Sequence, residues 1–300
     1  MPNRSADIFA DLLRFLQGYP VSVRDEAHRA DLLRDARYFH LKGLEQRLLP
    51  CETSYNLARE RSEVLIRLED IRQSGLSFVP DDSPNLSTDP SVKSSTASST
   101  PSSAAPILAP PYRGWIHYAR PFVDDSAYFL VMEISGSTES TKLDLQSMRA
   151  SFSGHTKARI ASLFQVVANK MNLPVTQPLG LMMMETGGGV AAQPVSLANS
   201  GISGDTVRVS IGRDAWVVVD GAVGEWDGDE DIDEGKGMPP LRVGGVLVAT
   251  TQWVIHKGQW RLRVRSMDGD PERVEVVLCA VRLEAFTEER TRNGRRGFLI

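Results

Sequence analysis

The segment Phe9 to Leu49 reads FADLLRFLQGYPVSVRDEAHRADLLRDARYFHLKGLEQRLL and decides most of what the sequence indicates about the protein. Its first part spaces apolar residues by three and four positions, which places them on one face of a helix. Ser5 precedes this helix and Asp7 lies in its first turn, where side-chain oxygens can accept hydrogen bonds from the free backbone amides of the helix start. Gly18 and Pro20 end it. The segment therefore predicts an amphipathic helix followed by a turn.

A second periodic set of apolar residues follows the turn. It comprises Ala30, Leu32, Leu33, Ala36, Tyr38, Phe39, Leu41, Leu44, Leu48 and Leu49. Gly43 interrupts the set and would cost about 1 kcal/mol relative to alanine inside a helix. We therefore expect two short helices that meet between His40 and Gly43.

The order and spacing of these residues resemble those of a known domain family. The residues that carry the resemblance are Arg4, Phe9, Leu13, Phe15, Leu16, Gly18, Leu32, Asp35, Ala36, Tyr38, Phe39, Leu41 and Leu44. Together they are similar to the C-terminal half of a BTB/POZ domain of the potassium-channel tetramerisation type, as found in fungal BTB proteins. The sequence departs from the family at Asn3, Gln17 and Asp35, where Asp, Arg and Glu are usual.

The resemblance implies a non-enzymatic scaffold or adaptor that acts through protein association. The partner would be a second copy of the chain or a cullin-type ligase scaffold. The family domain opens with a strand-rich segment that is missing here, so we expect either a half domain or a start assigned within a longer protein. The expected interaction residues are Phe9, Leu13, Phe15, Tyr19, Tyr38, Phe39 and Leu41. Another interpretation is that Phe15, Tyr38, Phe39 and Leu44 only form the core between the helices.

Composition and charge limit the remaining possibilities. The 300-residue chain has a net charge of −4, without the basic excess typical of nucleic-acid-binding proteins. Cys51 and Cys279 are far apart, which argues against a disulfide framework and favours a reducing compartment. No apolar run approaches the length of a membrane-spanning helix. We expect a soluble protein of the cytoplasm or nucleus that binds no membrane.

The middle of the sequence predicts a helix and then a linker. Residues Thr53 to Ser74 resume a helical spacing of apolar residues and carry many alternating charges. From Pro80 to Pro111, 19 of the 32 residues are Ser, Thr or Pro and none is aromatic, which is typical of a disordered linker. We therefore divide the chain into a helical segment at 1–79, a linker at 80–111 and a second domain at 112–300.

The sequence of the second domain predicts mainly strands. Apolar runs indicate strands at Tyr128–Ile134, Leu143–Phe152, Val207–Ile211 and Trp216–Val219, and the clearest amphipathic helix of the chain covers Thr156–Met171. An antiparallel meander is expected for Val246–His256, Gln259–Met267 and Arg273–Phe286, with turns at Lys257-Gly258 and at residues 268–271. The expected fold class is α+β: a BTB-like helical half domain, a disordered linker and a mainly antiparallel β domain with one principal helix.

Several motifs in the second domain resemble functional sites without completing one. Residues 225–237 form an acidic loop whose alternating aspartates have the spacing of calcium ligands, but the loop lacks the Gly and the final Glu of a calcium-binding loop. Gly187-Gly188-Gly189 has no lysine or helix start for a phosphate loop. The five histidines are scattered, and Cys279 lies in an apolar strand. We predict no catalytic, cofactor-binding or metal-binding residue.

Two alternatives to the scaffold function remain open at this point. The first is a ligand-binding or catalytic β-rich domain with the BTB-like part as a localising appendage. A deep pocket that gathers Trp216, Trp253 or Trp260 with two or more ionisable groups would favour it. The second is polyanion binding by a basic strand face formed by Arg261, Arg263 and Arg265, which the acidic loop could cover or screen.

Overall fold

The computed structural model describes residues 5–81, 112–136, 141–171, 206–226, 241–247, 251–267, 270–288 and 290–291. The fold is α+β and consists mostly of strands, as predicted. Its helices are α1 (Ala6–Leu16), α2 (Glu26–Tyr38), α3 (Lys42–Leu48) and α4 (Gly154–Lys170). None of these four helices combines the length and the hydropathy needed to cross a bilayer.

The strands join in one continuous hydrogen-bonded system. They are β1 (Cys51–Asn56), β2 (Arg61–Arg67), β3 (Leu76–Pro80), β4 (Arg113–Tyr118), β5 (Tyr128–Ser135), β6 (Thr141–Asp144), β7 (Arg149–Phe152), β8 (Thr206–Ser210), β9 (Trp216–Val219), β10 (Ala222–Trp226), β11 (Leu241–Val243), β12 (Val246–Leu247), β13 (Gln252–Met267) and β14 (Asp270–Thr287). The order is β1-β2-β5-β4-β13-β6-β7-β8-β14-β9-β10-β11-β12, with β3 on β4.

The two longest strands, β13 and β14, organise this system. They pair with each other in antiparallel fashion, and one edge of β13 pairs in succession with β6, β5 and β4. Strands β6, β7, β8 and β14 are also paired in series, so these four strands and β13 form a closed ring. A closed ring leaves no free edge among its members, which favours a rigid platform for side chains on both faces.

The apolar residues separate into two cores. The larger core is formed by the sheet and α4, and Trp253 and Trp260 of β13 are fully buried in it. The smaller core belongs to the three N-terminal helices and consists of Ile8, Leu12, Leu32, Ala36, Leu44 and Leu48. The helices are joined to the sheet by the chain itself at Leu49-Pro50 and by an ion pair between Glu45 and Arg72.

The N-terminal helices match the sequence expectation closely. Helix α1 follows Ser5 and ends before Gly18, whose φ is +87°. Helices α2 and α3 meet at residues 39–41, where His40 has a positive φ of 57°. The predicted break between His40 and Gly43 is therefore confirmed, although α3 already includes Gly43.

The predicted helix over Thr53–Ser74 is wrong. This region instead contains the β1–β2 hairpin, with Cys51 opposite Ile66, and two short 3₁₀ turns at residues 68–70 and 73–75. Strand β2 also pairs in parallel with β5, and β3 pairs with β4, so the sheet extends back to residue 51. The physical reason is that partners far along the sequence supply the strand pairing, and this overrides the local helical spacing.

The predicted turn at Lys257-Gly258 is also wrong. Both residues lie inside β13, where a bulge between Ile255 and Lys257 lets the strand continue. A Cβ atom at Gly258 would lie 2.5 Å from the indole nitrogen of Trp260. Glycine is needed here for the close approach of a buried ring, and not for a reversal of the chain.

The strand predicted at Val246–His256 is divided between β12, which pairs with β11, and the start of β13, whereas the strands predicted at Tyr128–Ile134, Val207–Ile211 and Trp216–Val219 agree with β5, β8 and β9. Helix α4 covers the predicted amphipathic segment, and Ile160, Leu163, Phe164 and Val167 face the core. The run predicted at Leu143–Phe152 is the β6–β7 hairpin. Most of the linker, the glycine triplet, residues 227–237 of the acidic loop, Asn3 and Arg4 lie outside the described residues. The bounds of the three predicted segments stay a prediction.

Candidate protein-interaction surface

A polar cluster joins the middle of α1 to the N-terminal end of α2. The side chain of Asp25 accepts a hydrogen bond of 2.7 Å from the amide of His28 and so caps α2. His28 Nδ1 accepts from the amide of Arg24, and His28 Nε2 lies 3.1 Å from Asp11 Oδ2. Because Nδ1 is an acceptor, the proton of a neutral ring is on Nε2, which donates to Asp11 on α1.

An exposed apolar stripe runs along α1 beside its buried stripe. Ile8 and Leu12 point into the helical core, whereas Phe9, Leu13 and Leu16 are 46%, 44% and 62% exposed. The last three residues are spaced by four and three positions, which aligns them on one side of the helix. Apolar side chains that align in this way form a continuous surface and are not isolated exposed residues.

Aromatic residues from the end of α2 extend the stripe. The ring centroid of Phe39 lies 5.8 Å from that of Phe9 and 5.0 Å from that of Tyr38, which meets it edge to face. Phe39 is half-buried and Tyr38 is 50% exposed. We name the surface formed by Phe9, Leu13, Leu16 and Tyr38, with Phe39 at its base, the helical patch.

The other expected interaction residues have different surroundings. Phe15 and Leu41 are half-buried against the helical core, and the guanidinium of Arg47 lies 5.8 Å from the ring of Phe15. These side chains pack the three helices together. Tyr19 is exposed at the turn that follows α1. The structure thus brings Phe9, Leu13, Tyr38 and Phe39 to one surface and places the other three residues around it. It stays a prediction that any of the seven residues binds a partner.

Two exposed residues near this region were not among the expected interaction residues. Leu16 completes the helical patch, and its position seven residues after Phe9 is the signal that could have identified it. Phe122 is 71% exposed and adopts a positive φ of 66° in the loop between β4 and β5. Its Cβ lies 3.7 Å from the position that a Cβ on Gly43 would occupy, so it stands beside α3. No local pattern places Phe122 beside a helix about 80 positions earlier in the chain.

The basic strand face expected at β13 is largely neutralised. Arg261 is buried and forms a two-point ion pair with Glu63, with Nε–Oε1 at 2.8 Å and Nη2–Oε2 at 3.2 Å. Arg263 lies 3.2 Å from Asp81, and Arg265 lies 3.1 Å from Glu275. Each of the three arginines therefore faces a carboxylate, which weakens the case for a continuous polyanion-binding strand.

The tryptophan pocket that would favour the ligand-binding or catalytic alternative is not formed by the described residues. Trp253 and Trp260 are buried in the core, and Trp216 is exposed on the far side of β14 from β13. Among the residues that the structure describes, no three His, Cys, Asp or Glu side chains come together as a metal site would require. Burial raises the pKa of Cys51, against a smaller lowering by Arg120, which keeps this thiol protonated at neutral pH.

Comparison with known proteins gives a partial similarity. The chain is 36% identical over 75 residues to an uncharacterized protein of Saccharomyces cerevisiae, and 32% identical over 75 residues to a BTB/POZ domain-containing protein of the same yeast. In both cases the match covers 25% of this chain and only 15% of the yeast protein. No protein-family model matches the chain. No solved structure matches it either.

Proposed function

We propose that the chain is a non-enzymatic protein-interaction module, a scaffold or adaptor with a partial BTB/POZ-like helical unit, and that it associates with itself through the helical patch. The observation that carries the proposal is the continuous exposed apolar surface of Phe9, Leu13, Leu16 and Tyr38. Surfaces of this kind on a folded protein usually mark a site of association. The partial similarity to a yeast BTB/POZ domain-containing protein supports an interaction function.

The chemistry of the patch fits a protein partner. It combines aliphatic side chains with two aromatic rings that are already in contact, so that little side-chain freedom is lost on binding. Aromatic residues are enriched at interfaces, where their flat surfaces provide large contact areas. On the far side of α1, the core residues Ile8 and Leu12 fix the helix, so the patch is presented on a supported element.

Light scattering on the full chain over a concentration series tests the proposal. A defined oligomer is expected, and the Leu13→Ser variant should raise its dissociation constant about tenfold or more. Burial of one leucine contributes about 1.5–3 kcal/mol, and 1.4 kcal/mol corresponds to a factor of ten. The control is Leu57→Ser, which removes a largely exposed leucine from the β1–β2 turn.

The outcomes separate the possible partners. Equal weakening by Leu13→Ser and Leu57→Ser would show that general loss of apolar surface, and not the helical patch, controls association. A full chain that stays monomeric would eliminate self-association. The adaptor alternative is then tested by measuring whether a purified cullin binds the full chain and whether Leu13→Ser weakens that binding.

A further inference from the structure

The loop between β4 and β5 presents an aromatic ring to solvent on a strained backbone. Phe122 is 71% exposed and has a positive φ of 66°. The left-handed region is unfavourable for a residue with a Cβ atom, and bulky residues rarely adopt it. Strained residues persist only where their surroundings fix them, and they occur preferentially at sites of binding or catalysis. The exposed ring of Phe122 therefore marks a candidate site.

One carboxylate fixes the conformation of this loop. Asp124 Oδ2 accepts a hydrogen bond from the amide of Arg120 at 2.7 Å, and Asp124 Oδ1 accepts from Arg120 Nη2 at 2.7 Å. The carbonyl oxygen of Arg120 in turn accepts from the amides of Val123 and Asp124, each at 3.1 Å. The Asp124 side chain is only 5% exposed. Polar contacts on both sides of Phe122 thus hold the loop closed and present the ring on a fixed backbone.

Phe122 lies in a small cluster with helices α1 and α3. A Cβ atom on Gly43 would be 3.7 Å from Phe122 Cβ and 4.0 Å from Phe15 Cζ, so both residues border the same point of α3. Arg47 follows Gly43 by one helical turn, and its guanidinium lies 5.8 Å from the ring of Phe15. We name the surface formed by Phe15, Gly43, Arg47 and Phe122 the loop–helix surface.

The loop–helix surface and the helical patch lie on different sides of α1. Phe15 follows Leu13 by two positions, which is a rotation of about 200° around the helix. Leu13 belongs to the helical patch, whereas Phe15 packs between α1 and α3. A protein bound at the helical patch therefore does not have to cover Phe122.

The charges around the loop–helix surface are mainly positive. Helix α3, the β4–β5 loop and the ion-pair partners of both contain five basic and three acidic groups. They are Arg37, Lys42, Arg47, Arg72 and Arg120 against Glu45, Asp124 and Asp125. This set carries about two positive charges at neutral pH. Lys42 and Arg47 are exposed and have no carboxylate partner among the described residues, so they are available to an anionic partner.

We propose that the loop–helix surface binds an acidic segment of a partner protein, with an apolar side chain of that segment on Phe122 and its carboxylates beside Lys42 and Arg47. Charge complementarity favours this occupant. A second copy of the chain fits less well, because a symmetric pair would place the same basic surface against itself. The inference rests on the proposed function in protein association, but it does not depend on the helical patch.

Selection of a random peptide library on phage tests the surface. The library is bound to the full chain after removal of the phage that bind the Phe122→Gly variant. Glycine adopts a positive φ without strain, so this variant keeps the loop and should fold at least as well as the original protein. The selected peptides should be enriched in Asp and Glu next to aromatic residues or leucine.

The strongest peptide is then synthesised, and its dissociation constant is measured by fluorescence anisotropy. Phe122→Gly should raise this constant about tenfold or more, because the burial of one aromatic ring is lost. Arg47→Gln should raise it about threefold, the effect of one exposed ion pair. The matched controls are Trp216→Ser, which removes another exposed aromatic ring, and Arg113→Gln, which removes another exposed arginine without a carboxylate partner among the described residues. Both controls should leave the affinity unchanged.

The remaining outcomes separate this surface from the helical patch. Leu13→Ser should not change the affinity for the peptide, and Phe122→Gly should not change the self-association measured by light scattering. A monomeric chain that binds the peptide would eliminate self-association and support the loop–helix surface, whereas an oligomer that selects no acidic peptide would overturn only the latter. Equal losses in Trp216→Ser and Phe122→Gly, or weaker self-association in Phe122→Gly, would also overturn the proposal.

Discussion

The buried ion pair between Glu63 and Arg261 makes the sharpest prediction about stability. It joins β2 to β13 across 198 positions of the sequence. The side chains are only 9% and 4% exposed, and they meet through two hydrogen bonds of 2.8 and 3.2 Å. The Arg261→Met variant removes one partner, keeps much of the side-chain volume and leaves the Glu63 carboxylate buried.

The expected loss follows from the contacts that remain. Without Arg261, Glu63 keeps only the amide of Asn56 at 3.3 Å as a partner among the described side chains. Removal of one member of a buried pair typically lowers the free energy of unfolding by about 3–5 kcal/mol. Because the hydrogen bond from Asn56 still partly satisfies Glu63, we expect a loss of about 3 kcal/mol for Arg261→Met. At about 2–4 °C per kcal/mol for a protein of this size, the melting temperature should fall by about 6–12 °C.

Urea unfolding followed by tryptophan fluorescence provides the assay, because Trp260 is fully buried next to the ion pair in β13. The double variant Glu63→Leu/Arg261→Met should recover part of the loss, since an apolar pair can replace a buried ion pair. Arg282→Met breaks an exposed pair and should cost no more than about 1 kcal/mol. A loss below about 1 kcal/mol for Arg261→Met, or a double variant less stable than the single one, would refute the reasoning.

Three further predictions concern pH, a helix cap and a close approach. Burial, with a smaller contribution from the charge of Arg61, lowers the pKa of His117 from 6.5 to about 4. The neutral imidazole should therefore contribute fully to the free energy of unfolding above pH 6.5, and this contribution of up to about 3 kcal/mol should be lost as the pH decreases to 4. Urea unfolding at a series of pH values measures this loss, and the His117→Gln variant should not show it. Asp25→Ala removes the cap on the amide of His28 and should lower the unfolding free energy by about 1 kcal/mol, while Asp25→Ser should retain most of it. Gly75→Ala should destabilise the fold strongly, because the new Cβ would lie 2.2 Å from a backbone carbonyl oxygen; a melting temperature equal to that of the original protein would contradict this.

The sequence was informative where local spacing and end signals agree. Helix α4 was predictable because its apolar residues recur with the helical period and prolines follow it. Helix α1 was predictable for the same reason, and its exposed stripe beside the buried one explains most of the helical patch. In these cases the information lies within about ten to twenty neighbouring residues.

The errors arose where distant strands decide the structure. Glu63 and Arg67 fit a helical i,i+4 pair, yet Glu63 pairs with Arg261 and Arg67 with Asp70. The consecutive apolar residues 64–66 were a strand signal, but a helical spacing of leucines concealed it. The parallel pairing of β8 with β14 likewise has no local sequence signal.

The separation of the two cores determines how association should act on this protein. The helical core contains six buried residues, which is too few for stable folding of this unit alone. A partner that covers the helical patch binds only the folded helices, so it stabilises them by an amount that grows with the logarithm of its concentration above the dissociation constant. The sheet should respond less, because its core is larger and contains none of the patch residues. Hydrogen exchange of the full chain at increasing protein concentration should therefore slow in α1 and α2 before it changes in β13, and equal slowing in both would argue against association through the helices.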